Sequence, residues 1–182
     1  MRKLLLVLLT FTLYAWADPA PLGLEIGKAT VQDAKARYKL RHAGINKYTS
    51  GDMYDVDPKQ VDMKYLQSCR LIFDKDGKLM AVVMTFPKSG SGRDIPEFNY
   101  YYKLLREKYK LVGSRIPFVG DTWAKFVDGN TEILLDAPHL SFTMTLEYVH
   151  KSLLKKAKER DSKKKSKKGA RQSKACRAIS IF

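Results

Sequence analysis

The sequence predicts an α+β domain, an antiparallel sheet of about five strands with two or three helices packed on one face. Three observations carry this. Apolar residues alternate over residues 140–148, two arms of alternating residues flank Asp74-Lys75-Asp76-Gly77, and the strand patterns come in runs rather than alternating one by one with helices. The order reads as helix, hairpin, helix, hairpin plus strand, which is compatible with a degenerate helix-plus-hairpin duplication.

Each element has its own signal. Gly23-Leu24-Glu25-Ile26-Gly27 is a short extended lead-in, and Thr30 then caps a helix with Asp33 as its reciprocal partner. Val31, Ala34 and Tyr38 recur at helical spacing, and the helix is expected to stop before Gly44. Residues 45–62 hold Asn46, Ser50, Gly51, Pro58 and four Asp, and read as loop with at most one short strand near Tyr48 or Tyr54.

Tyr65 to Phe73 and Lys78 to Phe86 form the first hairpin. Tyr65, Cys69, Leu71 and Phe73 share one face, and Met80, Val82, Met84 and Phe86 share one face of the partner. Residues 87–93 are a flexible loop by composition. Asp94 and Pro96 open a second helix, with Phe98, Tyr101, Tyr102, Leu105 and Tyr109 on its apolar side and an end near Gly113.

Residues 121–127 and 131–136 make a second hairpin. Leu140, Phe142, Met144, Leu146 and Tyr148 alternate with Ser141, Thr143, Thr145 and Glu147, a strand with one buried and one wet face. A last helix over about 149–160 runs into a basic tail.

The ends of the chain bear on location and charge. Arg2 and Lys3 precede an apolar run, Leu4 to Trp16, and Ala15-Trp16-Ala17 has the small-x-small form cleaved by signal peptidase. The expectation is export to the periplasm or medium, with residues 1–17 removed between Ala17 and Asp18. The run is too short to remain as a span, so no transmembrane segment is expected afterwards. No Cys sits at the cleavage point to carry lipid.

Of the 34 Lys and Arg, two fall in 1–17 and thirteen in 151–182, where only two acids accompany them. Residues 18–150, read as a single domain, therefore carry 19 basic and 17 acidic residues. Residues 151–182 are the helix end and a disordered polybasic tail, and the formal charge of +15 describes that tail rather than the body. A nucleic-acid-binding domain would carry its cations among the stacking aromatics, which here lie in the body.

The segments 23–30, 73–79, 105–109 and 138–142 together resemble a diffuse class of small exported bacterial proteins of unassigned function. The likeness spans about 23–149. There is also an echo of helix-plus-sheet envelope proteins such as the outer-membrane assembly lipoproteins, and of the β-lactamase-inhibitor-like fold, although the lipid-bearing Cys is missing. The resemblance implies an envelope location and no active site.

No residue set earns a catalytic role. His139 lies near Asp136 and Ser141, but Pro138 intervenes and no nucleophile elbow surrounds the serine. His42 and His150 read as helix-end residues. Asp52, Asp55, Asp57 and Asp62 lack calcium-loop spacing and read as a solvated turn. Gly90-Ser91-Gly92 follows no parallel strand and is no phosphate cradle. Cys69 lies in an apolar strand, which favours a buried reduced thiol over a bridge to Cys176. No metal or cofactor is expected.

Tyr100-Tyr101-Tyr102 cannot all face inward, since successive helix residues turn by about 100°. Tyr100 and Tyr102, with Trp123, are the candidate partner contacts. Lys163, Lys164, Lys165, Lys167, Lys168, Arg171, Lys174 and Arg177 are the candidate contacts to anionic surfaces. The favoured reading is a non-catalytic exported protein that binds a macromolecular partner in the envelope, its tail drawn to lipid headgroups or lipopolysaccharide. Non-specific nucleic-acid binding through the tail competes with it, and an enzyme of unrecognised chemistry is the third reading.

Overall fold

Thr30 starts the first helix through a reciprocal cap: its hydroxyl accepts from the Asp33 backbone N–H at 3.3 Å, and its own N–H donates to Asp33 Oδ2 at 2.8 Å. Helix α1, Val31–Arg37, ends at Tyr38, whose backbone turns extended and whose hydroxyl donates to the Leu22 carbonyl at 3.0 Å. The helix is therefore shorter than expected. Residues assigned to it or to the following loop instead form β1, Leu40–Ile45, and β2, Ser50–Val56.

The computed structural model describes residues 18–160 and Ser162. After β2 come β3, Ser68–Asp74, and β4, Leu79–Pro87; α2, Pro96–Lys108; β5, Lys110–Arg115; β6, Thr122–Asp128; β7, Thr131–Ala137; β8, Thr143–His150; and a helix α3 over 151–160. All eight strands join one antiparallel sheet in the order β1-β2-β3-β4-β8-β7-β6-β5.

This corrects the expected fold class. The molecule is dominated by an eight-stranded sheet rather than an α+β domain built on about five strands. The repeating unit is not a helix and a hairpin. Each half is a helix followed by a four-strand meander, and the last strands of the two meanders, β4 and β8, pair at the centre.

β1 and β5 were not expected, and β2 is a full strand where only a short one near Tyr48 or Tyr54 was allowed. All three are rich in polar residues and glycine, and β1 and β5 lie at the sheet edges with one hydrogen-bonded neighbour each. Both edges carry a register shift, between His42 and Ile45 and between Leu111 and Gly113, an irregularity that discourages pairing with another chain. Gly51 shows why β2 resisted a strand reading: a Cβ there would collide with the Asp74 carbonyl of β3, so the strands approach only because a glycine is present.

Strand parity assigns two faces. One carries Cys69, Leu71, Phe73, Val82, Met84, Phe86, Ala124, Phe126, Ile133, Leu135, Met144 and Leu146, and buries them against Ala34 of α1 and Phe98, Tyr101 and Leu105 of α2. Burying a Phe, Leu or Ile side chain contributes roughly 1.5–3 kcal/mol each, so this layer is the main source of stability.

The opposite face has its own small cluster, Met80, Ala81 and Leu153, with Ile72 and Val149 against it. Leu153 belongs to α3, so the third helix packs behind the sheet and the helices are not all on one face. Met80 was expected to join Val82, Met84 and Phe86. A register shift between Ile72 and Phe73 puts Leu79 in the main core in its place.

Two further boundaries move. α2 ends at Lys108 and the chain re-enters the sheet at Lys110, well before Gly113. β8 begins only at Thr143, which leaves Leu140 and Phe142 outside the strand at 93% and 91% exposure.

Candidate binding face

The face of the sheet away from α1 and α2 draws side chains from all eight strands and is covered only in part, by α3. One register row crosses all eight strands there: Gly113, Lys125, Leu134, Glu147, Val83, Arg70, Asp55 and Arg41, in order from β5 to β1. A second row runs Arg115, Trp123, Asp136, Thr145, Thr85 and Ser68. A third, through Ala81, Ile72 and Val149, lies partly under α3. With strands about 4.8 Å apart, a full row spans about 34 Å.

Charge along the first row is organised by pairs. Arg70 donates to Asp55 twice, Nε to Oδ1 at 2.8 Å and Nη2 to Oδ2 at 3.3 Å, and Arg41 Nη2 reaches Oδ2 at 3.3 Å. The hydrogen bond from Arg70 holds the Asp55 carboxyl below its usual value against the opposing cost of burial, and Arg41 adds to the effect. On β6 and β7, Lys125 Nζ lies 2.9 Å from Glu132 Oε1.

The middle of the face behaves differently. Burial pushes the Glu147 carboxyl up; a hydrogen bond from the Thr145 hydroxyl at 3.3 Å opposes this, and the nearby Asp136 reinforces it. Asp136 is itself raised, by burial first and by Asp121 second. These acids have no cation of their own at the sheet centre among the described ion pairs.

Near β1 and β2 the face deepens into a cleft of about 690 Å³ lined in part by Lys39, Arg41, Asp55, Gln67, Arg70 and Thr85. The β2–β3 connection forms one wall, held by Gln60, whose Oε1 accepts from Lys39 N–H at 2.8 Å.

The candidate aromatic residues are not brought together. Tyr101 is buried and donates to the Lys64 carbonyl, Tyr102 stacks on Phe98 at 5.8 Å between ring centres, and Tyr100 is 41% exposed beside Tyr65. Those three belong to α2. Trp123 stands on the opposite face of the sheet, between Arg115 and Asp136 in its row, so no single surface joins it to Tyr100 and Tyr102.

The candidate tail residues, Lys163 to Arg177, and residues 1–17, expected to be a signal segment, lie outside the described residues. His42 is a β1 residue, with Nε2 3.1 Å from Asp52 Oδ1, and His150 closes β8 at the N-terminal end of α3, with Nδ1 2.8 Å from Ser152 Oγ; neither stands at the negative end of a helix. Asp52 and Asp55 sit in β2 rather than in a solvated turn. Among the described residues no group of three or more His, Cys, Asp or Glu could hold a metal ion, and no helix is long and apolar enough to cross a membrane.

The Asp55–Arg70 pairing was missed because it joins residues on strands whose register only the fold reveals. Glu147 was legible, since its place on the wet side of the 143–147 alternation put it on this face. No protein-family model, curated protein or solved structure matched the chain when compared with it.

Proposed function

We propose that the chain is a non-catalytic binding protein of the cell envelope that docks a protein partner on the part of the sheet face opposite α1 and α2 that α3 leaves open, with the Lys-rich tail adding attraction to anionic surfaces. The observation that carries this reading is the eight-strand row, in which cations and anions alternate with Leu134 and Val83. Such a row matches a partner surface of opposite alternation. A uniform polyanion would meet Glu147 and Asp136 at its centre and be repelled there.

A face about 34 Å wide and two to three rows deep offers roughly 450–700 Å², whose upper end approaches the roughly 800 Å² per partner of a stable complex. Export through the 1–17 segment and the envelope resemblance set the expected compartment. Nucleic-acid binding stays the competing role for the tail, whose charges would bind phosphate without sequence preference.

Site-specific photo-crosslinking tests the face. A photoreactive residue at Val83 or Leu134 is expected to give one discrete protein adduct, which Arg70→Glu or Glu147→Arg weakens, while the same residue at Lys103 on α2 gives none. Adducts of equal yield from both sides of the molecule, or none from the sheet face, would sink the reading. For the tail, deletion of 161–182 is expected to weaken binding to anionic vesicles at about 0.15 M salt. Loss of DNA binding instead would favour the nucleic-acid alternative.

A further inference from the structure

Four apolar side chains project at one end of the second half of the sheet: Phe118 at 77% exposure, Val119 at 63%, Leu140 at 93% and Phe142 at 91%. They belong to the connections β5–β6, residues 116–121, and β7–β8, residues 138–142. The β4–α2 connection, residues 88–95, lies against both.

These loops are braced to one another. His139 N–H donates to Asp121 Oδ1 at 2.8 Å, Lys88 N–H to the Phe142 carbonyl at 2.9 Å, and Thr122 Oγ1 to the Gly92 carbonyl at 3.0 Å. Lys88 Nζ donates to the carbonyls of Pro138 and His139. Gly92, at φ +56°, lets the Phe118 carbonyl come so close that a Cβ would collide with it. A fold that invests this many bonds in holding two Phe and a Leu out in water has placed them rather than left them over.

The rim of the tip is balanced in formal charge, with Lys88, Arg93 and Arg115 against Asp94, Asp121 and Asp136. The geometry points to a membrane-insertion site: Phe118, Val119, Leu140 and Phe142 enter the interfacial layer of a phospholipid bilayer. Side chains that project singly from loop ends suit a fluid layer, which receives them without a matching socket.

This site is separate from the docking face and from the tail. Thr143 begins β8 at the tip and His150 ends it at the far side of the sheet, about 23 Å away, where α3 begins. With the tip in the surface the strands rise away from the bilayer, and the sheet face stays open sideways to a partner.

Vesicles of phosphatidylcholine containing phosphatidylserine test the inference with the full chain. The variant Phe118→Ser with Phe142→Ser is expected to partition at least about tenfold less than the parent at the same salt, with unchanged thermal unfolding because both side chains are exposed. A Phe142→Trp reporter is expected to shift to the blue on binding and to be quenched by lipids brominated on their acyl chains. A parent that does not bind, a double variant that partitions equally, or a reporter that escapes quenching overturns the inference. Equal partitioning would still leave attraction by the tail standing, and the crosslinking of the sheet face is unaffected by any of these outcomes.

Discussion

Asp55 on β2 and Arg70 on β3 are register partners that share two hydrogen bonds, at 2.8 Å and 3.3 Å, in the deepest part of the open face. The Asp55 side chain is 21% exposed and that of Arg41, its second partner, 84%. The pair should therefore matter to stability far more than Arg41 does.

Because Asp55 has a depressed pKa in the fold, its contribution is present above the ordinary carboxylate value of about 3.9 and is lost as pH falls through its folded value. Asp55→Asn is expected to cost about 1 kcal/mol at neutral pH, measured by urea unfolding. The gap to the parent should close in acid. Arg41→Ala should change little.

Glu147 has the opposite sign. Its folded pKa is raised, chiefly by burial, so any stabilisation belongs to the protonated form and disappears as pH rises from the ordinary carboxylate range through the folded value. Glu147→Gln should raise the melting temperature at neutral pH, and the two curves should converge below about pH 4. A Gln variant less stable than the parent at neutral pH would show that Glu147 is paired rather than merely desolvated.

Phe126 is fully buried in the layer between sheet and helices, and Leu153 is 7% exposed in the cluster under α3. Phe126→Ala should cost about 3–5 kcal/mol and weaken the whole sheet. Leu153→Ala should instead release helix 151–160. Hydrogen exchange would show protection lost there and kept in β3, β4 and β8.

Cys69 is 1% exposed on the helix side of β3, and burial pushes its thiol up to about 12. It should resist alkylation in the native protein and react on unfolding, as read by peptide mapping of the Cys69 segment. Any bridge to Cys176 would require the tail to reach into the main core. Rapid native labelling of Cys69 would contradict its placement.

The parts of the fold legible from sequence are those in which side-chain pattern and backbone state coincide. The turn at Asp74 to Gly77, the cap at Thr30 and the alternations in β3, β4, β6 and β7 are of this kind. β1 and β5 were not legible, and β2 only as a short strand near Tyr54. Their outward residues, among them Arg41, Asp55, Arg115 and Gly113, are polar or small, and at least half of each strand faces the open side, so no apolar alternation marks it. Leu140 and Phe142 misled in the opposite direction, continuing the period of β8 while standing in a loop.

The sequence by itself determined the local grammar: where helices begin, where the tight turns fall, and that the excess charge lies in the tail, since these depend on neighbours a few residues apart. Only the tertiary structure decided that eight strands form one sheet, that α3 packs behind it, and that Asp55 meets Arg70. Strand pairing is a contract between distant residues, and an edge strand with a polar outer side takes its conformation from its neighbour's hydrogen bonds rather than from its own side chains.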